Sequence, residues 1–358
     1  MKDLKLLKDL SELHGISGHE RLVKEYLENE YLKVVPKENI MYDGLGSIVA
    51  KKVGDPNGPK VLLVGHMDEI GLMVTRITEA GYIKFQTIGG WWSQVMLSQK
   101  FQILTSEGKK ITAVMGSIPP HVLPKELLAK PFETNSMFLD VGVESKEEAE
   151  KLGIKPGDPI APIMDFEQLA NKKYLLGKAW DNRVGCAMAL RAFQNFKDEE
   201  HPNILYSGST VQEEVGLRGA RTLGNLVQPD ISIATDTTIP SDLPGNDNYI
   251  KIGKGPVLLI YDGATIGHKA LRELIIKTAE EEKIPYQVDH LTRGGTDAGA
   301  LHTSHHGSPA ISFCIATRYI HSHSGIIHYD DYANGVKLLT AVIKKLDRKT
   351  VDKLKYGE

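Results

Sequence analysis

The feature that most constrains the fold is a short apolar run in the first quarter of the chain. Residues 60–65 read KVLLVG, with four consecutive apolar side chains. A strand with one face in water alternates apolar and polar side chains, whereas a strand covered on both faces of a parallel sheet does not. The run therefore predicts a buried strand in a sheet that has helices on its faces.

Further strand-like runs and amphipathic helical stretches alternate along the rest of the chain. The strand-like runs lie at about 204–210, 231–234 and 310–315, and the helical stretches at about 219–226, 271–282 and 332–346. This alternation predicts an α/β fold with a mixed sheet flanked by helices. Near the N-terminus, Ser17 followed three residues later by Glu20 predicts a capping box that opens a helix through about Leu32.

The stretch 72–162 differs from its surroundings in its pattern of apolar, turn-forming and proline residues. Helical periodicity disappears, short strand-like segments alternate with turn signals, and prolines interrupt the middle at positions 119, 120, 124 and 131. We therefore predict a small β-rich domain at 72–162, inserted into a catalytic α/β domain made of 1–71 and 163–358. One continuous α/β domain with long excursions is the alternative, which the length of the helix-poor stretch disfavours.

Composition and charge exclude several classes of function. The 358 residues suffice for two domains, and the formal net charge of -3 gives no electrostatic basis for binding nucleic acid or an anionic membrane. We expect no signal peptide, because the charged N-terminus lacks an apolar core of that length, and no run approaches the roughly 20 apolar residues that a membrane span needs. Cys186 and Cys314 stand in apolar surroundings, as buried reduced thiols do. We expect a cytoplasmic protein with neither nucleic-acid nor membrane partners.

Acidic and imidazole side chains follow the strand-like runs. The candidates at these ends are His66, Asp68, Glu213, Glu214, Asp236 and His321, with Asp181 at the start of a predicted helix. Sites in open α/β sheets form beyond the carboxyl ends of the strands. Mixed histidine and carboxylate ligands suit zinc, cobalt or manganese, and a carboxylate can bridge two ions as in two-metal hydrolases. Because neighbouring side chains of an extended chain point to opposite faces, one of the adjacent glutamates can bind metal while the other transfers protons.

Each candidate also has an ordinary structural explanation. His66 alone is typical of a buried core histidine, and Asp181 of a helix N-cap. His321 and His323 are equally plausible ligands by chemistry. The nearby cluster of His302, His305 and His306 lies in a polar stretch, and we interpret that cluster as a solvated loop.

Five short blocks occur in a fixed order along the chain: residues 65–71 (GHMDEIG), 178–183 (KAWDNR), 211–220 (VQEEVGLRGA), 294–299 (GGTDAG) and 318–322 (RYIHS). Together they resemble the signature blocks of the tetrahedral (TET-type) dinuclear metal aminopeptidases, which include bacterial glutamyl aminopeptidases. The resemblance spans essentially the whole chain. It implies that His66 and Asp236 bind one metal, that Glu214 and His321 bind the other, and that Asp181 bridges the two.

The remaining roles also follow from the resemblance. Glu213 is expected to be the general base, and Asp68 is expected to orient and polarise His66. The resemblance favours His321 over His323 as the ligand. The β-rich insertion corresponds to the family's dimerisation domain, and the family's dimers build a hollow dodecamer. The expected substrates are therefore peptides, shortened from the N-terminus.

Substrate preference depends on a single position. Acid-specific members of the family carry arginine shortly before a Tyr-Asp or Phe-Asp pair, and Leu259 stands there in this sequence. Because an unpaired buried carboxylate costs several kcal/mol, we expect Leu259 to contribute to a site for neutral, apolar N-terminal residues. The alternatives are a glutamyl-specific aminopeptidase, a metal-dependent deacylase or other amide hydrolase, and a non-catalytic assembly scaffold. A scaffold would be expected to lose metal ligands, and none is lost here.

Overall fold

The computed structural model describes residues 1–128, 130–247 and 249–355. Their α-helices are α1 (Leu4–Glu12), α2 (Arg21–Tyr31), α3 (Lys125–Leu128), α4 (Lys146–Lys151), α5 (Trp180–Gln194), α6 (Arg218–Val227), α7 (Lys269–Glu281), α8 (Ala298–Leu301), α9 (Tyr329–Ile343) and α10 (Arg348–Lys355). Their strands are β1 (Ile40–Tyr42), β2 (Ile48–Val53), β3 (Lys60–His66), β4 (Gly71–Ile77), β5 (Ile83–Ile88), β6 (Lys100–Leu104), β7 (Lys110–Gly116), β8 (Phe138–Asp140), β9 (Pro159–Pro162), β10 (Glu167–Gln168), β11 (Tyr174–Gly177), β12 (Ile204–Thr210), β13 (Ile231–Thr238), β14 (Val257–Tyr261), β15 (Gln287–His290), β16 (Ala310–Ala316) and β17 (Gly325–His328).

The main sheet has eight strands in the order β1-β2-β12-β3-β13-β16-β14-β15. Its four central strands, β12, β3, β13 and β16, run parallel to one another, whereas β2 and β14 join them antiparallel. The carboxyl ends of four parallel strands therefore meet along one edge. The predicted mixed sheet flanked by helices is confirmed.

Strand β3 is buried on both faces, as its unbroken apolar run predicts. Val61 and Leu63 belong to the core cluster on the side of α5, whereas Leu62 and Val64 belong to the cluster beneath α6 and α8. All four side chains are 0% exposed. Gly65 lets α5 approach the strand closely, because a Cβ at this position would lie 2.6 Å from the backbone nitrogen of Cys186.

A second unit begins immediately after the end of β3. Strands β4 to β9 close into a barrel in the order β4-β5-β8-β7-β6-β9 around a core of its own. The barrel starts at Gly71 and ends at Pro162, which agrees with the β-rich texture of this stretch. Helix α5 follows the barrel and returns the chain to the main sheet.

The N-terminal break between α1 and α2 differs from the sequence prediction. The capping box is wrong, because the hydroxyl of Ser17 donates to a carboxylate oxygen of Asp68, 51 residues away. Helix α2 is preceded by Glu20, whose side chain accepts no hydrogen bond from the first turn. In the described part of the chain, no helix is both long and apolar enough to cross a membrane.

Candidate metal centre

Five elements bring the predicted site residues to one edge of the main sheet. His66 is the last residue of β3 and pairs with Thr210 at the end of β12, directly before the loop that carries Glu213 and Glu214. Asp236 lies near the carboxyl end of β13. Asp181 comes from the first turn of α5, and His321 follows β16. This is the edge at which parallel α/β sheets form their sites.

Asp181 stands between the two histidines. Its Oδ1 lies 3.1 Å from Nε2 of His66, and its Oδ2 lies 3.4 Å from Nε2 of His321. His321 also faces Glu214, whose Oε2 lies 3.3 Å from the same nitrogen. Each oxygen of the Asp181 carboxylate therefore faces a different imidazole, the arrangement that a bridging carboxylate requires.

The same nitrogen of His66 also faces two further acids. Nε2 of His66 lies 3.8 Å from Oε2 of Glu213 and 4.0 Å from Oδ1 of Asp236. Two overlapping sets of residues each have donor atoms that lie within 4.8 Å of one another. The first set is His66, Asp181 and Glu214, and the second is His66, Glu213 and Asp236. The structure thus gathers the predicted acids and histidines into one continuous cluster.

The ionisable side chains of the cluster are buried close together, which shifts their pKa values. Burial raises the pKa of Asp236 and Glu213 well above the usual range, although His66 opposes the shift in both. Burial would lower the pKa of His66, but the carboxylates of Glu213, Asp181 and Asp68 together raise it well above its ordinary value. Burial also opposes ionisation of Asp181, and the two histidines outweigh it and lower that pKa. Carboxylates this close need positive counter-charge.

These residues fit a divalent metal. Oε1 of Glu214 is buried and lacks a hydrogen-bond partner, although buried polar atoms are nearly always paired. The donors are imidazole nitrogens and carboxylate oxygens, the set that zinc, cobalt and manganese share. Metal cations at this place would pair the orphan oxygen and neutralise the clustered acids.

Asp68 contacts the centre in an unexpected way. Nδ1 of His66 lies 3.0 Å from the backbone oxygen of Asp68 and 3.5 Å from its carboxylate Oδ1. That carboxylate instead accepts the backbone N–H groups of Glu213 and Glu214, at 3.0 and 3.1 Å, and the hydroxyl of Ser17 at 2.6 Å. Asp68 therefore fixes the chain that carries both glutamates as well as standing beside the histidine.

A cavity of about 580 Å³ opens beside the cluster. Its apolar side chains come from Leu217, Ile239, Leu291 and Ile320, and Arg293 contributes an exposed guanidinium. The structure does not bring Leu259 to this cavity. Leu259 is 1% exposed and packs in a core cluster with Val257, Cys314 and Ala316.

The other histidines lie apart from the cluster. His323 packs edge-on against Phe101 with a ring separation of 4.5 Å, and its Nε2 lies 3.1 Å from the backbone oxygen of Lys100. The structure therefore presents His321 and not His323 to the acids. His305 and His306 are exposed and their rings meet edge to face, as a solvated loop allows.

The sequence interpretation missed residues that touch the centre from far away. Glu20 accepts the N–H of Gln212 in the segment that carries the glutamate pair, and Ser17 donates to Asp68. Arg293 lines the cavity. The available signal for the first two was a hydroxyl and an acid within a glycine-bounded break, which also fits a helix cap. Local spacing could not separate these two roles.

Comparisons with known proteins agree with the function class that the geometry of the site indicates. The family model described as M42 glutamyl aminopeptidase matches residues 46–338. The chain belongs to the M42 glutamyl aminopeptidase family. It is 39% identical over 353 residues to an Escherichia coli (strain K12) protein assigned as the aminopeptidase FrvX, covering 98% of this chain and 97% of that protein. It is 36% identical to the glutamyl aminopeptidase of Lactococcus lactis, with 98% of both chains covered.

Solved structures of M42 relatives share the whole fold. The TET aminopeptidase from the marine sediment archaeon Thaumarchaeota archaeon SCGC AB-539-E09 superposes with a TM-score of 0.95 at 39% identity, covering 99% of both chains. The TET1 peptidase of Pyrococcus horikoshii, which can assemble into a tetrahedron or a large octahedral shell, has a TM-score of 0.85 at 31% identity over 96% of this chain and 99% of its own. The family resemblance, fold class and enzyme class are confirmed, and this M42 protein is a metal-dependent aminopeptidase.

Proposed function

We propose that this M42 aminopeptidase holds two divalent cations. His66 and Asp236 hold the first, Glu214 and His321 hold the second, and Asp181 bridges them. The observation that carries this assignment is the position of Asp181, with one oxygen facing each histidine at 3.1 and 3.4 Å. Zinc, cobalt and manganese all suit these ligands.

The metals and Glu213 divide the chemistry of peptide hydrolysis. When bound, two cations would polarise the scissile carbonyl and lower the pKa of water toward neutral pH. The carboxylate of Glu213 accepts the proton from the attacking water and returns it to the leaving amine nitrogen. Glu213 suits this role because it is 9% exposed and faces the cluster, with Oε2 3.8 Å from His66. The acids of the cluster hold the free α-amino group, which restricts cleavage to the N-terminus.

We further propose a preference for neutral, apolar N-terminal residues. The support comes from the cavity, whose walls include Leu217, Ile239, Leu291 and Ile320. Leu259 does not contact the substrate in this proposal, because its side chain is buried in the core behind the lining residues. Arg293 keeps the glutamyl-specific alternative open, because a guanidinium in the wall offers a partner to an acidic side chain.

The barrel unit is proposed to mediate assembly into dimers and then a dodecamer, in a cytoplasmic protein. In this proposal the catalytic domain comprises 1–71 and 163–358, and the assembly domain comprises 72–162. The barrel unit exposes Trp92, Ile118 and Val122 at 59%, 50% and 68%, and a subunit contact on this unit would cover such apolar side chains. Sedimentation of the purified protein distinguishes monomer, dimer and dodecamer.

The function is tested with aminoacyl-p-nitroanilides and their N-acetylated counterparts. Enzyme stripped of metal should be inactive, and zinc, cobalt or manganese should restore cleavage of the free substrates alone. The Asp181→Asn variant should bind less metal and lose this activity. Hydrolysis of N-acetylated substrates instead would indicate a deacylase.

The same panel tests the preference. Leu-p-nitroanilide should be cleaved with a higher kcat/KM than Glu-p-nitroanilide. The reverse order, abolished in the Arg293→Ala variant, would establish glutamyl specificity.

A further inference from the structure

Three consecutive backbone N–H groups around the proposed general base end on buried carboxylates. The N–H of Gln212 donates to Oε1 of Glu20 at 3.0 Å. The N–H groups of Glu213 and Glu214 donate to Oδ1 and Oδ2 of Asp68 at 3.0 and 3.1 Å. Successive N–H groups of this kind form a concave anion site, which two of the protein's own acids fill here.

The loop needs these anchors because its backbone is strained. Gln212 has a φ of 55°, in the left-handed region that disfavours residues other than glycine. It lies two residues after the end of β12 and directly before Glu213, so the sheet no longer supports it. The carbonyl oxygens of Gln212 and Glu213 accept the N–H groups of Arg218 and Leu217, which holds the turn from its C-terminal side. The N–H of Gln212 has its acceptor on Glu20, which therefore fixes the N-terminal side of the turn directly before Glu213.

The anchors belong to one N-terminal segment. Oε1 of Glu20 also accepts the N–H of Gly18 at 2.7 Å, so a single oxygen joins the two loops. The hydroxyl of Ser17 donates to Oδ2 of Asp68 at 2.6 Å. Ser17, Glu20 and Asp68 are 6%, 6% and 0% exposed, so water competes little for these bonds. The segment 17–20 therefore contacts the base-carrying loop both directly and through Asp68.

We propose that Glu20, supported by Ser17, is a positioning residue that holds Glu213 in register with the metal centre. Glu20 acts through the N–H of Gln212, and Ser17 acts through Asp68. This inference rests on the proposed role of Glu213 as the general base. In this inference the position of Glu213 depends on the position of Oε1 of Glu20, and not on the charge of the Glu20 side chain.

Position and charge can be separated with two substitutions at the same residue. Glu20→Gln removes the charge but keeps an acceptor oxygen at the same distance along the side chain. Glu20→Asp keeps the charge but withdraws the oxygen by about one C–C bond, roughly 1.5 Å. Because misplacing a reacting group by about 1 Å can cost about 100-fold in rate, E20D should lower kcat by about 10- to 100-fold. E20Q should stay within about threefold of the unchanged enzyme, with KM similar in both variants.

The experiment measures kcat and KM for Leu-p-nitroanilide on metal-loaded protein, together with the metal bound per chain. Hydrogen–deuterium exchange of the metal-free protein adds a readout that is independent of activity. Amides around 211–215 should exchange faster in E20D than in E20Q. Ser17→Ala supplies a second variant and should lower kcat several-fold through Asp68.

Glu25 provides the matched control. It lies on α2, five residues after Glu20, and makes an exposed ion pair with Arg21 at 3.0 Å. E25D and E25Q make the same chemical changes on the helix that follows Glu20 and should leave kcat and exchange unchanged.

Three results would overturn the inference: E20D with unchanged kcat, E20Q impaired as much as E20D, or a loss of kcat that matches a loss of bound metal. The variant Glu213→Gln separates this failure from failure of the proposed function. If E213Q keeps its activity, the role of the base is wrong. If E213Q is inactive while E20D is fully active, only the positioning role is wrong.

Discussion

Replacing Glu69 by Gln should destabilise the protein strongly, because Glu69 compensates two buried cations. Its Oε1 accepts a hydrogen bond from Nζ of Lys178 at 2.6 Å and lies 3.4 Å from Nη2 of Arg183. The side chains of Lys178, Arg183 and Glu69 are 4%, 0% and 2% exposed. Removing one partner of a buried ion pair costs about 3–5 kcal/mol, since the other charge remains without water or a counter-ion.

This free energy converts into a measurable shift of the melting temperature. An unfolding entropy of about 2.1 cal/mol/K per residue gives about 0.75 kcal/mol/K for a chain of 358 residues. E69Q should therefore melt about 4–7 °C below the unchanged protein in calorimetry of the metal-loaded enzyme. The control is E199Q, which removes the acid of the Glu199–Lys344 pair, also 2.6 Å long but with both side chains about half exposed. Because surface pairs contribute about 0–1 kcal/mol, E199Q should shift the melting temperature by about 1 °C or less.

The pH dependence adds a second check on the same reasoning. Burial lowers the pKa of Lys178 to about 8, although Glu69 opposes the shift. Between pH 8 and the ordinary lysine pKa the unfolded chain binds more protons than the folded one, so stability from this group rises with pH. E69Q should lower the pKa of Lys178 further, so its deficit in stability should shrink as pH rises toward 8 and stay constant above 8. Equal melting shifts for E69Q and E199Q, or a deficit that grows with pH, would refute this account.

Three further outcomes are expected. Chelation of the metals should lower the melting temperature, because the acids of the cluster lose their counter-charge. Added zinc should restore the melting temperature with a dependence on zinc concentration. The absence of a shift in calorimetry would contradict the proposal that this cluster binds metal. Leu259→Ala should cost about 2–5 kcal/mol of stability, measured by calorimetry, without changing the ratio of rates on Leu and Glu substrates; a changed ratio would return Leu259 to the substrate site. His321→Ala should lower the metal bound per chain, measured by elemental analysis, whereas His323→Phe should leave it unchanged because His323 packs against Phe101.

Much of the candidate metal centre was predictable because most of its proposed ligands stand at the ends of recognisable strands. The apolar run before His66 indicated a buried parallel strand, and parallel strands place their carboxyl ends side by side. His66, Asp236 and the glutamate pair could therefore be expected to meet. The choice between His321 and His323 needed the family resemblance, because two histidines one residue apart carry no local signal that separates them.

Other features depended on contacts that no local pattern records. Ser17 and Glu20 have the spacing of a capping box, and their hydrogen bonds run instead to residues 51 and 192 positions away. Leu259 aligned with a specificity position, and only packing showed that its side chain points into the core. Arg293 lies in a glycine-rich loop, as many solvated arginines do. Only the folded structure shows that it lines the cavity beside the acidic cluster.

The sequence by itself determined the α/β class, the β-rich unit and the identities of the acids and histidines, because periodicity and residue chemistry are local properties. The tertiary structure decided which oxygen faces which nitrogen, what lines the cavity and what holds the Glu213 loop in place. These depend on side chains that meet across tens to hundreds of residues. Their separations are fixed only when the sheet, the barrel and the N-terminal segment pack together.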